Sequence, residues 1–130
     1  MIKFQFNSNT YLPSKLPTKY PEILKYDGCF KIIIDDKIYF EDNEFCIYEF
    51  LYYITKWLNC ENRAMEYNCV DTEENPLISF TPYENQWKIS SPWQNFKNNV
   101  LFSADELKNA LAELITTLGD NTGDGRFSVL

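Results

Sequence analysis

Alternation of apolar and polar residues predicts strands in the first third of the chain. Residues 2–6 read Ile-Lys-Phe-Gln-Phe, which has the two-residue period of a half-buried strand. Residues 29–34 are apolar and largely β-branched, Asp35-Asp36-Lys37 follows as a turn, and residues 37–40 return as a strand. This pattern predicts a β-hairpin. Prolines at positions 13, 17 and 21 favour a loop between the first strand and the hairpin.

The apolar period then changes to that of a helix in two places. Between Glu44 and Leu58 the apolar residues recur every three or four positions, which predicts an amphipathic helix with Asn43 as its N-cap. A second apolar stripe predicts a helix over Ala104–Leu118. Ser103 and Glu106 form a capping box before it, and Gly119 suits the left-handed position that ends a helix.

Three short strands are predicted between the helices, over residues 65–69, 77–83 and 86–91. Pro92 excludes a central strand after them, so residues 93–96 are expected to form an edge strand or an irregular continuation. Strands grouped around two helices predict a single α+β domain over residues 1–130, with residues 120–130 as a flexible tail. We expect both helices to pack on one antiparallel sheet of about five strands. Its apolar face would comprise Phe30, Ile32, Ile34, Phe80, Trp87 and Ile89.

The composition argues against the commonest kinds of catalysis. The 130 residues include no histidine, which is the usual general base and a frequent metal ligand. No pair of the four cysteines has the CxxC spacing of a zinc or redox site, and the glycine-rich tail lacks the lysine of a phosphate-binding loop. We therefore expect no enzymatic activity, no catalytic residue, no metal and no cofactor.

Charge and targeting signals narrow the class further. The formal net charge is −7, which argues against direct binding to nucleic acid. The N-terminal residues lack the apolar segment of a signal peptide, and no stretch is long and apolar enough to cross a membrane. We expect a cytoplasmic protein with reduced cysteines, although the even cysteine count leaves disulfides open.

The acidic residues are concentrated in the middle of the chain. Residues 27–86 hold thirteen acidic and four basic residues, a net charge of −9. Such a surface attracts a basic protein partner and raises the association rate more than the affinity. The alternative is a set of solvated turns, which favour Asp and Asn in any case. The acidic residues that we predict to bind a partner are Asp35, Asp36, Glu41, Asp42, Glu44, Asp71, Glu73 and Glu74.

Aromatic residues make up 17% of the chain and supply candidate anchors for the same partner. Tyr48 and Tyr52 lie off the apolar stripe of the first predicted helix, and Trp93 follows Pro92 at a predicted edge. Tyrosine and tryptophan combine a large contact area with a polar tip, which suits interfaces. A wide core contact is the alternative for the tyrosines, because a helix that is aromatic most of the way round can be buried on several sides.

The whole chain resembles the small acidic immunity proteins of bacterial toxin–immunity systems. The run from Asp71 to Phe80, followed by that from Trp87 to Trp93, is similar to immunity-like domains. The resemblance implies a protein that binds a cognate toxin domain, possibly a nuclease, and blocks its active site or an exosite. Two alternatives stay open: a phage-type or regulatory inhibitor that mimics nucleic-acid charge, and an accessory subunit of a larger complex.

Overall fold

The computed structural model describes residues 1–8, 22–59, 63–70 and 72–118. The loop predicted around the three prolines, the capping Gly119 and the tail over residues 120–130 lie outside the described residues. The strands are β1 (Ile2–Ser8), β2 (Asp27–Ile34), β3 (Lys37–Cys46), β4 (Met65–Tyr67), β5 (Ile78–Tyr83) and β6 (Gln86–Ser90). The helices are α1 (Ile47–Asn59) and α2 (Ala104–Leu118), with a short 3-10 turn at Glu22–Leu24. No described helix is long and apolar enough to cross a membrane.

The described strands form two antiparallel sheets of three strands each, in the orders β1-β2-β3 and β4-β5-β6. The predicted α+β class and antiparallel pairing are confirmed, but the single sheet of about five strands is wrong. The strands are divided because the sheets meet through their apolar faces: the rings of Phe4 in β1 and Phe80 in β5 lie 6.2 Å apart. Burying two apolar faces against each other removes more apolar surface from water than extending one sheet edge to edge.

The predicted hairpin of β2 and β3 is present, and β5 and β6 form a second one. Asp35 and Asp36 join β2 to β3 with φ angles of 49° and 67°, and Glu84 and Asn85 join β5 to β6 with 47° and 69°. Two successive left-handed residues are the signature of the type I′ turn, which matches the twist of the strands that it connects. Asp and Asn tolerate this conformation better than most residues, which explains their presence at three of the four positions.

The two helices differ in how well local signals define their ends. Helix α2 has the predicted bounds, and Ser103 Oγ accepts a hydrogen bond from the Glu106 backbone N–H at 3.1 Å. Helix α1 begins at Ile47 instead of Glu44, so Asn43 is not its N-cap. Strand β3 continues through that segment and pairs with β2 as far as Asp27 opposite Cys46. Pairing with β2 therefore takes precedence over the local helical period.

Aromatic rings fill the core between the sheets and around α1. All six residues predicted to form the apolar sheet face are buried. Trp57 of α1 packs edge-to-face on Trp87 of β6 at 5.1 Å, so both indoles belong to the core. The segment after β6 is irregular, and Phe102 exchanges backbone hydrogen bonds with Trp87 at 2.7 and 2.9 Å. This bridge covers the outer edge of β6.

Candidate functional site

A polar groove of about 510 Å³ lies on the outer face of the second sheet. Ile78 and Phe80 of β5 point into the core, so the residue between them, Ser79, points outward. Ser79 is the register partner of Ser90 in β6, and these two serines form the floor together with Ser91. One wall is the loop before β5, residues 73–76, and the other is the segment after β6, residues 92–94.

The first wall is held in shape by the side chain of Asn75. Its Oδ1 accepts a hydrogen bond from the Cys69 N–H at 2.9 Å, and its Nδ2 donates to the carbonyl oxygens of Cys69 at 3.1 Å and Thr72 at 2.8 Å. The Thr72 hydroxyl also accepts from the Glu74 N–H at 3.2 Å. These bonds close the loop on itself, so that it presents Glu73 and Glu74 at the groove.

The second wall is attached to the first sheet. Gln94 Oε1 accepts a hydrogen bond from the Tyr39 hydroxyl at 2.9 Å, and the Asn95 N–H donates to the Tyr39 carbonyl oxygen at 2.8 Å. Asn95 Nδ2 also donates to the Ile38 carbonyl oxygen at 3.1 Å. Burial raises the pKa of the Tyr39 hydroxyl, so it remains a donor at neutral pH. The wall therefore covers the edge of β3 and ties the two sheets together.

Trp93 stands in this second wall, between the groove residues Pro92 and Gln94. Its backbone N–H donates to Ser91 Oγ at 3.0 Å, and its indole stacks on Phe40 of β3 with the ring centroids 6.2 Å apart and the planes 8° apart. The indole is half-buried. One side is thus fixed by the core while part of the ring faces solvent, which is the arrangement of an anchoring aromatic residue at an interface.

The groove presents mainly hydrogen-bond acceptors. Ser79 is only 9% exposed, and it lines the groove together with Ser90 and Ser91. The carboxylates of Glu73 and Glu74 are exposed and have no ion-pair partner among the described residues. Glu66 of β4 is the register partner of Ser79, but it lines a separate pocket together with Lys56 and Arg63. The arrangement suits a ligand that is cationic and donates several hydrogen bonds.

Of the predicted partner-binding residues, Glu73 and Glu74 line the groove, whereas Trp93 lies between two lining residues and stacks on Phe40. Asp71, which was predicted with them, lies outside the described residues. The groove serines and Gln94 were not predicted as site residues. The alternating pattern of β5 places Ser79 outward, but no local signal shows that two loops rise on either side of it.

Three further acidic candidates, Glu41, Asp42 and Glu44, lie on β3, so Glu44 does not belong to α1. Glu41 Oε2 is 3.6 Å from Lys31 Nζ and 3.9 Å from Cys29 Sγ, so its charge is partly compensated. Asp42 Oδ1 accepts a hydrogen bond from the Glu44 N–H at 2.9 Å at an irregularity in the β2–β3 pairing. These residues continue along β3 from Phe40, on which Trp93 stacks.

The remaining acidic candidates, Asp35 and Asp36, occupy the β2–β3 turn at the other end of β3. Asp35 Oδ1 accepts a hydrogen bond from the Met1 ammonium group at 2.8 Å, and Glu106 Oε2 lies 3.7 Å from the same nitrogen. The hydrogen bond to Asp35 is the main reason why the pKa of this amine is raised. The predicted acidic surface is therefore divided between two parts of the molecule.

The prediction of Tyr48 as an exposed anchor is wrong. Its side chain is 0% exposed and packs edge-to-face against Tyr26 with the ring centroids 5.5 Å apart. Burial also raises the pKa of its hydroxyl. The physical reason is that other elements cover α1 on several sides. A helix with aromatic residues around most of its circumference can be buried in this way. Tyr52, on the same helix, is half-buried, and whether it contacts a partner stays a prediction.

The covering of α1 also buries Glu49, which sequence reasoning did not single out. This carboxylate is 0% exposed, and Oε1 accepts a hydrogen bond from the Tyr67 hydroxyl at 2.7 Å. Glu49 lies opposite the main apolar stripe of α1, where a charged residue normally faces solvent. Tyr67 belongs to β4, the strand that leads into the first wall of the groove. The pair therefore fixes the base of that wall.

Within the described residues, no group of three or more His, Cys, Asp or Glu side chains could hold a metal ion.

Comparisons with known proteins identify the family of this chain and nothing further. Neither the curated proteins nor the solved structures contain a significant match. The family described as "Domain of unknown function (DUF7878)" matches residues 2–122, which is most of the chain. The groove, its two walls and both sheets all lie within the matched range, and the chain belongs to the DUF7878 family.

Proposed function

We propose that this chain acts by binding another protein, and that it is an immunity protein which neutralises a cognate toxin domain. The observation that carries the proposal is the groove on the second sheet, where the exposed Glu73 and Glu74 lie across from Pro92 and Gln94, the two neighbours of the half-buried Trp93. A fixed aromatic side chain with a charged rim is the usual composition of a protein-binding hot spot. The residues that line the groove do not identify a reaction that the groove would catalyse.

The partner is expected to be basic. Glu73 and Glu74 line the groove, and further acidic residues lie on β3, the strand whose Phe40 stacks on Trp93. Toxins that cleave nucleic acid must carry basic side chains to hold phosphate groups, so a nuclease domain is the most suitable partner. Charge complementarity of this kind mainly accelerates association and excludes acidic competitors.

The distribution of charge favours an immunity protein over a mimic of nucleic acid. A mimic needs carboxylates spaced along one long face, as phosphates are along a helix. Here the acidic residues are split between the groove and the β2–β3 turn, and both Glu41 and Asp35 already have cationic partners. A compact patch next to Trp93 is the arrangement that a globular partner requires. The mimic and the accessory subunit are therefore secondary proposals.

A growth-rescue experiment tests the proposal. The protein encoded directly upstream of this gene is expressed in a bacterial host, with and without this chain. We expect the upstream protein to stop growth alone and co-expression of this chain to restore it. The Trp93→Ala variant should restore growth poorly, because loss of a central aromatic anchor costs about 2 kcal/mol or more of binding free energy.

The control is Tyr83→Ala, which removes an exposed aromatic ring from the β5–β6 hairpin, away from the groove. This variant should restore growth as well as the unsubstituted chain does. The proposal is wrong if the upstream protein is not toxic, or if this chain leaves its toxicity unchanged.

A further inference from the structure

We infer that the outer edge of β3 beyond Tyr39 receives an extended, basic segment of the partner protein as an additional strand. The partner is that of the proposed function, on which this inference rests. Three observations carry it: the direction of the backbone groups of Glu41, the position of Trp93 where the cover of this edge ends, and the charge of the strand.

The outer edge of β3 is covered only at its beginning. Strand β3 ends the order β1-β2-β3, so no described strand pairs with its outer side. Asn95 covers the start of this edge through hydrogen bonds to the carbonyl oxygens of Ile38 and Tyr39. No backbone hydrogen bond from another described segment reaches Glu41 on this side. The next residues along the strand include three that are exposed: Glu41, Asn43 and Glu44.

The backbone of Glu41 points toward this open side. The Asp35 N–H donates to the Met1 carbonyl oxygen at 3.0 Å, so the N–H and C=O groups of Asp35 and of alternate residues before it point toward β1. Ile32 lies between these positions and therefore points toward β3, where it pairs with Phe40. Phe40 thus points toward β2, and the N–H and C=O groups of Glu41, the next residue, point away from the sheet.

Trp93 lies where the cover of the edge ends. Its indole stacks on Phe40, the residue directly before Glu41, with the ring centroids 6.2 Å apart. The indole is half-buried, so a strand added beside Glu41 would pass next to its exposed part. Such a strand would gain main-chain hydrogen bonds from the edge and an apolar contact from the indole. Strand addition to a sheet edge obtains affinity and specificity from these two sources.

The charge of the strand favours a basic segment. Glu41, Asp42 and Glu44 supply three carboxylates, and the only described cation in an ion pair with them is Lys31, 3.6 Å from Glu41. A lysine or arginine directly opposite Glu41 would lie within about 5.5 Å of it and stabilise the pairing. A second copy of this chain would instead place like charges opposite one another, which is destabilising.

Hydrogen exchange of the free chain tests whether the edge is open. We expect the Glu41 amide to exchange rapidly, whereas the amides of Phe40 and Asp42, which point toward β2, are protected. Equal protection of all three amides would overturn the inference. Protection that rises with protein concentration would identify a second copy as the occupant, and protection independent of concentration would identify another part of this chain.

A defined peptide tests the addition of a strand. Acetyl-Thr-Lys-Val-Lys-Thr-amide is titrated into the ¹⁵N-labelled full chain, and amide shifts and exchange rates are measured by nuclear magnetic resonance. Its β-branched residues favour an extended conformation, and its lysines can face Glu41 while the valine faces the indole of Trp93. We expect saturable shifts of the Glu41 and Asn43 amides and slower exchange of the Glu41 amide. Absence of these changes would overturn the inference.

Two matched peptides separate backbone pairing from charge. Methylation of both lysine backbone nitrogens keeps the charge but removes the N–H donors, and it should weaken binding by about tenfold or more. Replacement of both lysines by glutamate should abolish binding, because like charges then face each other. Equal binding of the methylated peptide would overturn the inference, since charge alone would explain the shifts. Equal binding of the glutamate peptide would overturn the assignment to a basic segment.

Substitutions at Glu41 assign the binding to the edge. Glu41→Pro removes the outward N–H without removing a hydrogen bond to β2, and edge strands tolerate proline. The matched control, Glu41→Gln, keeps this N–H and removes the charge. We expect Glu41→Pro to lose the peptide-induced shifts and Glu41→Gln to bind the peptide about threefold more weakly. Circular dichroism checks the fold of both variants, and the methylated peptide decides the question if Glu41→Pro does not fold.

Growth rescue separates failure of this inference from failure of the proposed function. If the peptide does not bind and Glu41→Pro restores growth as well as the unsubstituted chain does, strand addition is wrong and the immunity role stands. If the peptide binds as expected and the unsubstituted chain gives no rescue, the edge assignment stands and the immunity role fails.

Discussion

Single side chains in this molecule connect the core to the groove. The buried Glu49 accepts a hydrogen bond from Tyr67, and β4 then leads to Cys69, whose backbone is held by Asn75. A buried charge without a hydrogen bond is costly, so the Tyr67 hydroxyl is important for stability. The acidic wall of the groove thus depends on residues that have no contact with the groove itself.

Replacement of Tyr67 by Phe should lower the free energy of unfolding by about 1.5–3 kcal/mol, because it removes a hydrogen bond to a buried carboxylate. Urea denaturation followed by tryptophan fluorescence measures the change. The matched control is Tyr53→Phe, because the Tyr53 hydroxyl is only partly buried and donates to the Asn68 carbonyl oxygen at 3.3 Å. Equal losses in the two variants would contradict the importance that we assign to the Glu49–Tyr67 pair.

Replacement of Asn75 by Ala should loosen the wall that carries Glu73 and Glu74, because three side-chain hydrogen bonds are lost together. Hydrogen exchange of the Cys69 amide measures this directly and should accelerate. Asn75→Asp keeps the acceptor for the Cys69 N–H but loses both donors, so its effect on that amide should be smaller. Unchanged exchange in Asn75→Ala would show that the backbone alone shapes the loop.

Helices and hairpins differ in whether their ends are defined locally. The Ser103 cap and the type I′ turns depend on neighbouring residues in the chain, so a short stretch of sequence is enough to predict each of them. The start of α1 depends on how far β3 pairs with β2, which involves residues about twenty positions away. The ends of a helix or strand can therefore be predicted from the sequence only where residues nearby in the chain determine them, and not where pairing with a distant strand does.

The cap of α2 gives a test of such local stabilisation. Ser103→Ala removes the acceptor for the Glu106 N–H and should destabilise the protein by about 1 kcal/mol. Ser103→Asp retains an acceptor and should be close to neutral. Thermal unfolding of the three proteins checks the order, and an unchanged melting temperature in Ser103→Ala would show that packing of α2 makes the cap redundant.

For the molecule as a whole, buried tyrosines predict sensitivity to alkali. Burial raises the pKa of Tyr39, Tyr48 and Tyr67 in the folded protein, while the unfolded chain has the ordinary value of about 10. Stability is therefore fully present below pH 10 and falls above it, as the unfolded state loses protons that the folded state keeps. The loss approaches about 1.4 kcal/mol per pH unit for each tyrosine.

Denaturation in urea at a series of pH values measures this dependence. Absorbance of tyrosinate should rise for these side chains only as the protein unfolds. The Tyr39→Phe variant should show a shallower fall above pH 10, since one of the three groups no longer ionises. A stability that is flat between pH 9 and 12 would contradict the burial of the three hydroxyls.

Association with the toxin should depend on salt and on the groove. Under the proposed function, the on-rate falls as ionic strength rises, because screening weakens the attraction between the acidic surface and a basic partner. Glu73→Gln/Glu74→Gln should slow association more than Asp35→Asn/Asp36→Asn, since Asp35 already holds the Met1 ammonium group. Stopped-flow or surface-based kinetics with the toxin from the rescue experiment provides the measurement, and the opposite order would place the interface at the β2–β3 turn.

The kinds of element and their order followed from the chain alone, because hydrophobic period, capping residues and turn residues act over a few positions. Strands β1 to β6, both hairpins and α2 are of this kind, and so is the buried face that includes Phe30 and Trp87. The concentration of negative charge in residues 27–86 is also a property of the sequence. None of these depends on which element packs against which.

Packing between distant segments decided everything else. It divided the strands into two sheets, extended β3 into the predicted start of α1, and buried Tyr48 and Glu49 by covering α1 on several sides. It also placed the loop of Glu73 opposite the segment of Trp93, which are separated in the chain by β5 and β6. Periodicity shows which face of an element is apolar, but the fit of one surface to another determines what covers that face and where a groove is left open.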